Sequence, residues 1–330
     1  MKAMILAAGM GKRLRPLTNV YPKVLVPVVN KPLIDRVVEF LEIHGVREII
    51  INAHHHHQKI VNYLKKGNPF GMRMEVRIEK EILGTGGGIK NTRDFWDKDP
   101  FVVINGDILT DIDLGKAYEF HLNRDNLITM VLHDFPVHNK IRVDNEMNIL
   151  SIGPVITPTL PSPFKGEGLG GGKKRKFLCN QGTNLKGTFA FTGIHVMNPE
   201  VLDYIPENRR SSIIECYRRL MELKKPIRGY LATGHRWVDI GTRADYLRSN
   251  FNLLPPEKIA IAPECHIDPD ATLKDWAVIG RSCSIERGVL VKGSVLWNDA
   301  IVREGVKVVD SVVTSGVVVE KDLVGGVAVR

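Results

Sequence analysis

Little in this sequence suggests covalent cross-linking or a metal cluster. Its 330 residues hold four cysteines (Cys179, Cys216, Cys265, Cys283), scattered and without a CxxC pair. That spacing argues against a zinc site or a disulfide framework and suits a reducing compartment. Aromatic residues make up only 7% of the chain, and no basic–aromatic stretch suited to stacking bases is visible. The net charge of +9 would otherwise invite nucleic acid. However, Lys165, Lys173, Lys174, Arg175 and Lys176 all fall in one irregular stretch. A solvated basic loop, plus cations for small phosphorylated compounds, is the plainer reading, and no nucleic-acid partner is expected. No apolar run reaches the roughly eighteen residues of a membrane span, and no signal-peptide pattern precedes the first strand-like run. A cytoplasmic protein without a membrane partner is expected.

What is present is a regular alternation. "AMILAA", "EIIIN", "MRMEVRI", "PFVVING" and "NLITMVLH" read as strands, and "KPLIDRVVEFLEIHG", "HQKIVNYLKKG" and "DLGKAYEFHLN" as amphipathic helices. The first of these helices should stop at Gly45, and "GTGGGIKNT" opens a short further one. Repeated strand–helix–strand units predict an α/β, Rossmann-like fold with a mostly parallel sheet and helices on both faces. Ligands of such sheets bind beyond the carboxyl ends of the strands. Residues 153–182 combine prolines, glycines and the basic run with no apolar period. They read as a disordered surface-loop insertion, because strand-like sequence resumes in "GTFAFTGIHVM".

The last seventy residues repeat. Ile261, Ile267, Leu273, Ile279, Ile285 and Val291 fall every six residues. After a phase shift, Ala300, Val306, Val312, Val318 and Val324 continue the spacing. This hexad pattern predicts a left-handed parallel β-helix of about three to four coils, each aliphatic residue pointing inward. The domains expected are therefore residues 1–252, with the insertion, and residues 253–330, joined near "LLPPEK". The short stack would serve in homo-oligomer formation or in shielding the open side of the first domain.

The stretch "LAAGMGKRLRPLT" (residues 6–18) follows the first strand and resembles a phosphate loop without matching a standard one. One residue separates Gly9 from Gly11, where a Walker A loop has four, and Leu14 stands where a dinucleotide fingerprint has its third glycine. Still, Gly9 and Gly11 allow close backbone approach to a phosphate. Arg13 offers a planar fork for two oxygens, and Lys23 is a further cation downstream. Asp107 ends a buried strand in "VINGD", and Asp239 lies in "WVDIGT". Two carboxylates from distant segments beside such a cradle could hold Mg²⁺.

Taken in order, "LAAGMGKRLRPLT" with "PK", "ILGTGGGI", "VINGD", "FTGIHV" and "WVDIGT" resemble the motifs of sugar-1-phosphate nucleotidyltransferases. The repeats resemble the members of that family with an appended β-helix, as mannose-1-phosphate guanylyltransferases often have. The resemblance spans the chain apart from residues 153–182. It implies the reaction of a nucleoside triphosphate with a sugar-1-phosphate to give a nucleotide sugar and pyrophosphate. By resemblance, Ala8, Gly9, Gly11, Lys12 and Arg13 cradle the nucleotide phosphates, and Lys23 contacts the α-phosphate or the sugar phosphate. Gly84 and Thr85 lie by the base and ribose, with Gly86–Gly88 supplying N–H groups. Thr192 and Gly193 contact the sugar, and Asp107 and Asp239 ligate Mg²⁺. The catalytic set implied is Arg13, Lys23 and Asp107.

One departure is the missing Glu-Lys-Pro run before "FTGIHV", whose lysine binds the sugar phosphate in many members; Lys186 is the nearest candidate here. Cys, His and charge features outside the motifs have plainer readings. The run "HHHH" (54–57) cannot turn every ring toward one ion and reads as a solvated loop beside the pocket. His266 reads as a structural corner residue rather than an acyltransferase base. GTP with mannose-1-phosphate is the first substrate expectation. UTP with N-acetylmuramate-1-phosphate, and a catalytically silent subunit of the same fold, are the alternatives.

Overall fold

A computed structural model describes residues 1–67, 71–153, 185–207 and 209–330. Nearly all of the expected insertion at 153–182 lies outside the described residues. In chain order the first part runs β1 (Lys2–Leu6), α1 (Leu17–Val20), β2 (Pro27–Val28), β3 (Lys31–Pro32), α2 (Leu33–Ile43), β4 (Glu48–Ala53) and α3 (His57–Lys65). It continues with β5 (Arg73–Ile78), α4 (Gly84–Lys90), β6 (Phe101–Asn105), β7 (Ile108–Thr110), α5 (Leu114–Leu122) and β8 (Ile128–His133). Then follow β9 (Asn139–Asp144), β10 (Ile149–Ile152), β11 (Leu185–Met197), α6 (Ile213–Glu222), β12 (Ile227–Leu231), β13 (Trp237–Asp239) and α7 (Arg243–Leu253).

Continuous apolar sequence makes the central strands. Ala3, Met4 and Ile5 of β1, Ile49–Ile51 of β4 and Phe101–Val103 of β6 are all fully buried, as strands covered on both faces must be. Helix α2 buries Leu33, Ile34, Val37, Val38 and Leu41 along one stripe. Gly45 ends it as expected, at φ +81°, with the Val46 N–H returning to the Leu41 carbonyl at 3.1 Å. The sheet order is β10-β9-β11-β6-β1-β4-β5, with β8 on β11 and β12 on β8. β1 pairs in parallel with both β4 and β6, so the strand order reverses there and opens a crevice beyond their carboxyl ends. The sheet is mixed: β11 runs antiparallel to β6, β8 and β9.

Within this core His195 is 1% exposed, and its Nδ1 is hydrogen-bonded to the Tyr217 hydroxyl. Burial pushes the imidazole pKa down from 6.5 to about 3. A histidine lowered in this way binds fewer protons folded than unfolded. Its contribution is complete above 6.5 and is lost as pH falls toward about 3. His195→Asn keeps a hydrogen-bond partner for Tyr217 but has no such proton to take up. Its melting temperature should therefore fall less steeply than wild type across that acid window. Parallel profiles for the two proteins would refute this.

The C-terminal part coils as a parallel β-helix. Ile261 pairs with Ile279, Ile267 with Ile285 and Leu273 with Val291, eighteen residues on. The next coil is one residue shorter: Ile279 pairs with Leu296, Ile285 with Val302 and Val291 with Val308. The shortening occurs where Gly293, at φ +59°, turns a corner that takes Asp275 and Trp276 in the coil before. The paired inward ladder therefore continues through Leu296, Val302, Val308, Val313 and Val319, and of the second hexad series Ala300 and Val306 belong to the same interior cluster. Ala300 and Val306 are buried two positions earlier, whereas Val318 and Val324 are 42% and 68% exposed.

Val312 has a different role. With Val278 and Val295 it forms an outward stripe, one valine per coil. This stripe packs on Leu14, Leu17, Val26, Val28, Leu33, Ile240 and Tyr246. The β-helix thus covers the segment that follows the glycine loop. Asn30 Nδ2 donates to the Ile279 carbonyl at 2.8 Å, and Trp297 Nε1 donates to the Tyr246 hydroxyl at 2.9 Å.

Candidate active site

The crevice beyond β1 and β6 gathers the residues that the motifs singled out. Gly11, at φ +59°, caps a 3-10 turn of Lys12–Leu14 that turns Arg13 outward. A Cβ on Gly11 would lie 2.7 Å from Thr18 Cγ2, and the Thr18 hydroxyl donates to the Gly11 carbonyl at 2.9 Å. Ala8 is buried beneath the loop, while Gly9, Lys12 and Arg13 face solvent. Pro22 is extended and starts the turn that presents Lys23.

Asp107 and Asp239 are brought together by a two-stranded ribbon. β7 and β13 pair antiparallel with Ile108 opposite Asp239, and the Ile240 N–H donates to the Asp107 carbonyl at 3.0 Å. The Lys23 ammonium pairs with Asp107 Oδ2 and lies 3.7 Å from Asp239 Oδ1. Arg13 reaches Asp239 Oδ2 at 3.5 Å. Gly241 makes room for this, since a Cβ there would meet the Arg13 guanidinium at 2.7 Å. Thr242 then caps α7 in a box with Asp245, which fixes where the ribbon ends.

The electrostatics favour a cation between the two carboxylates. Burial, and then the neighbouring Asp107 charge, raise the Asp239 pKa above the usual carboxylate range, against Lys23 and Arg13. Asp239 Oδ1 is buried without a hydrogen-bond partner. The Lys23 ammonium already stands as a positive charge beside the pair. Two hard oxygen donors with room for phosphate and water suit a small divalent ion, which needs only one or two carboxylates. Among the described residues, no group of three or more His, Cys, Asp or Glu could hold a metal ion.

The second loop is arranged differently from expectation. The glycines of "GTGGG" allow α4 to pack against the start of α6. A Cβ on Gly84 would lie 2.5 Å from the Ser211 carbonyl oxygen. The N–H groups of Gly86 and Gly87 donate to that same carbonyl at 2.9 and 3.4 Å. They are occupied by backbone rather than offered to a ligand. Thr85 is exposed at the helix start, and its hydroxyl accepts from the Ile213 N–H at 3.0 Å.

On the other side, Thr192 and Gly193 form a bulge in β11. Gly193 is at φ +79°, and a Cβ would lie 2.5 Å from Asn105 Nδ2. The Thr192 hydroxyl is buried and donates to the Val131 carbonyl at 2.8 Å, so it serves the bulge. Both residues line a cavity of about 350 Å³ that reaches Asp239. Lys140 and Arg218 also line it; Lys186 does not, standing exposed near the start of β11. Sequence reasoning missed Lys140, Arg218 and Gly241. The four-histidine run also differs from a solvated loop: all four rings are half-buried and contact backbone carbonyls. Among the described residues, no helix is long and apolar enough to cross a membrane.

Comparison with known proteins agrees with this geometry. The Nucleotidyl transferase family profile matches residues 2–151. UTP–glucose-1-phosphate uridylyltransferase of Synechocystis sp. is 28% identical, over 97% of this chain and 89% of that protein. Mannose-1-phosphate guanyltransferase of Schizosaccharomyces pombe is 30% identical, over 86% of this chain and 74% of that protein. The crystal structure of HddC from Yersinia pseudotuberculosis superposes with a TM-score of 0.60 at 25% identity, covering 77% of this chain and 99% of HddC. A glycine loop, paired cations and two ribbon-held aspartates at the switch point of such a sheet go with this kinship, and the chain belongs to the sugar-1-phosphate nucleotidyltransferase family, enzymes that transfer a nucleotidyl group to a sugar-1-phosphate.

Proposed function

We propose that this enzyme makes GDP-mannose from GTP and mannose-1-phosphate, with residues 1–252 carrying the chemistry and residues 253–330 covering them. The convergence of Arg13, Lys23, Asp107 and Asp239 in one crevice is the observation that carries the catalytic reading. The guanylyl choice is supported by relatives that bear that name, including the yeast protein above. The cyanobacterial relative named for UTP and glucose-1-phosphate supports a uridylyl reading as the second choice.

The nucleophile is a sugar-phosphate oxygen, already anionic at neutral pH, so no general base is required. It forms a bond to the α-phosphorus while the bond to the bridging oxygen breaks and pyrophosphate leaves. The protein must hold two anions in line and stabilise the departing charge. In this reading Gly9, Gly11 and Lys12 seat the β- and γ-phosphates, and Arg13 neutralises charge on the leaving pyrophosphate. Lys23 serves the phosphates at the reacting centre. Asp107 and Asp239 would hold Mg²⁺, which when bound screens phosphate repulsion. Gly84 and Thr85 flank the base and ribose. The cavity behind Thr192 and Gly193 takes the sugar, and Lys140 and Arg218 supply the charge that the missing Glu-Lys-Pro lysine would give. A cytoplasmic location fits the scattered cysteines.

Pyrophosphate release should be measured for GTP, UTP, ATP and dTTP against a set of sugar-1-phosphates with Mg²⁺. Mannose-1-phosphate with GTP should turn over fastest. Lys140→Ala should raise the KM for the sugar-1-phosphate about tenfold, as loss of a charged hydrogen bond would, and leave the KM for the triphosphate near wild type. Preference for another pair would overturn the GDP-mannose assignment.

A further inference from the structure

The histidine run is the one motif that the reaction does not absorb, and it lies between the two loops that the reaction uses. It begins where β4 ends. Asn52 is 2% exposed, and its Oδ1 accepts the Ala7 N–H at 2.8 Å, at the root of the glycine loop. Its Nδ2 donates to Glu79 Oε1 at 2.6 Å. Glu79 is also 2% exposed, and its other oxygen accepts the Leu83 N–H at 2.9 Å, at the root of the second loop. His54 Nδ1 then contacts the Glu79 carbonyl at 2.8 Å. Asn52 and His54 thus tie the second loop to β4.

The next residues turn to the first loop. His55 Nε2–H donates to the Thr18 carbonyl at 2.9 Å, and His56 Nε2–H donates to the Asn19 carbonyl at 2.9 Å. Lys59 Nζ donates to the Val20 carbonyl at 2.5 Å and lies 4.4 Å from the Tyr21 ring centroid. These three carbonyls belong to α1, a single turn with little stability of its own, whose terminal carbonyls have no intrahelical partners. Thr18, in the same turn, holds the Gly11 carbonyl. The histidines therefore fix the helix that fixes the glycine loop. Burial holds the His56 pKa below the ordinary imidazole value, with His55 and Lys59 adding to the effect.

We infer that residues 52–56 form a clamp that presets the spacing of the two nucleotide loops, with His55 and His56 as positioning residues for the nucleoside triphosphate. Ordering a loop before the ligand arrives removes that entropy from the binding step. None of residues 52–56 lines the sugar-side cavity, so the loss of the clamp should fall on the triphosphate. This inference rests on the reading that residues 8–13 hold the nucleotide.

The test compares four full-length proteins in the pyrophosphate assay: wild type, His55→Ala/His56→Ala, His55→Gln/His56→Gln and Arg13→Ala. The triphosphate is GTP, or UTP if that is the one turned over. The double alanine variant should raise the triphosphate KM about tenfold, as two lost hydrogen bonds would. The sugar-1-phosphate KM should stay within about twofold of wild type. The glutamine pair, which keeps an amide donor, should recover most of the loss. An unchanged triphosphate KM in the alanine pair, equal impairment of both pairs, or both KM values rising together would overturn the clamp. If the alanine pair does not fold, the two single alanine variants carry the same comparison. If Arg13→Ala leaves kcat and the triphosphate KM untouched, the nucleotide-loop reading itself fails. Impairment by Arg13→Ala beside a normal alanine pair sinks the clamp alone.

Discussion

Asp107→Asn should lower pyrophosphate release about a hundred- to thousandfold, the scale seen when one preorganised electrostatic group is removed from an active site. The substitution keeps the shape of the side chain and removes one of two negative charges. Lys23 loses its partner on the Asp107 carboxylate and retains Asp239 Oδ1 at 3.7 Å. Of the pair, Asp239, with Arg13 at 3.5 Å, then keeps the one remaining carboxylate charge. The fold should persist, because the ribbon depends on backbone pairing, including the Asp107 carbonyl, and not on that carboxylate. Asp111→Asn is the control. Asp111 lies just beyond β7 on the same ribbon side but pairs with exposed Arg236 at 2.9 Å. Surface pairs of this kind contribute about 0–1 kcal/mol, so turnover should remain near wild type. Turnover of Asp107→Asn close to wild type, with an unchanged melting temperature, would remove Asp107 from the catalytic set.

The residues that converge here were legible because each sits at the end of a run whose pattern is local. β1, β4 and β6 read as buried strands from apolar sequence alone, and α2 read as a helix stopped by Gly45. Placing Arg13 and Asp107 then follows from the rule that such sheets bind ligands at their carboxyl ends. Asp239 was reached through its motif, since nothing local announces the ribbon that pairs it with Asp107. What stayed hidden is what depends on contact between distant segments. Gly241 looks like any turn glycine until Arg13 lies against it. The glycines of "GTGGG" read as anion donors, but the N–H groups of Gly86 and Gly87 serve Ser211, which is far away in sequence. The histidines looked solvated because carbonyl acceptors on α1 leave no trace in side-chain pattern. Val312, counted as an inward position, faces out beside Val278 and Val295 for a related reason. Hexad counting assumes coils of constant length, and one residue lost at the Gly293 corner turns an inward position into an outward one. That outward stripe proves to be the contact with the rest of the chain.

That contact makes Trp297→Ala the second large effect expected. Trp297 is 2% exposed and stands edge-on to Tyr21, with ring centroids 5.0 Å apart. Its indole N–H donates to the Tyr246 hydroxyl, which donates in turn to the Pro27 carbonyl at 2.7 Å. Pro27 lies in β2, immediately after the turn that presents Lys23. Removing a buried tryptophan typically destabilises by about 3–5 kcal/mol, through lost apolar burial and the cavity left behind. Here the damage should reach the chemistry as well, because the cavity opens against Leu14 and Leu17, the residues that flank Arg13 and the α1 turn. Turnover should fall with stability, although Trp297 itself is on the β-helix and lines none of the crevice. Trp297→Phe should separate the two contributions. It keeps most of the ring and loses the N–H, while Tyr246 keeps its bond to Pro27, so the loss should be nearer 1–2 kcal/mol. Urea denaturation beside pyrophosphate release reads both quantities. Full turnover in a Trp297→Ala protein that has lost several kcal/mol would mean that the β-helix stabilises the chain without holding the loop, and that the glycine loop keeps its shape through α1 and its histidines alone.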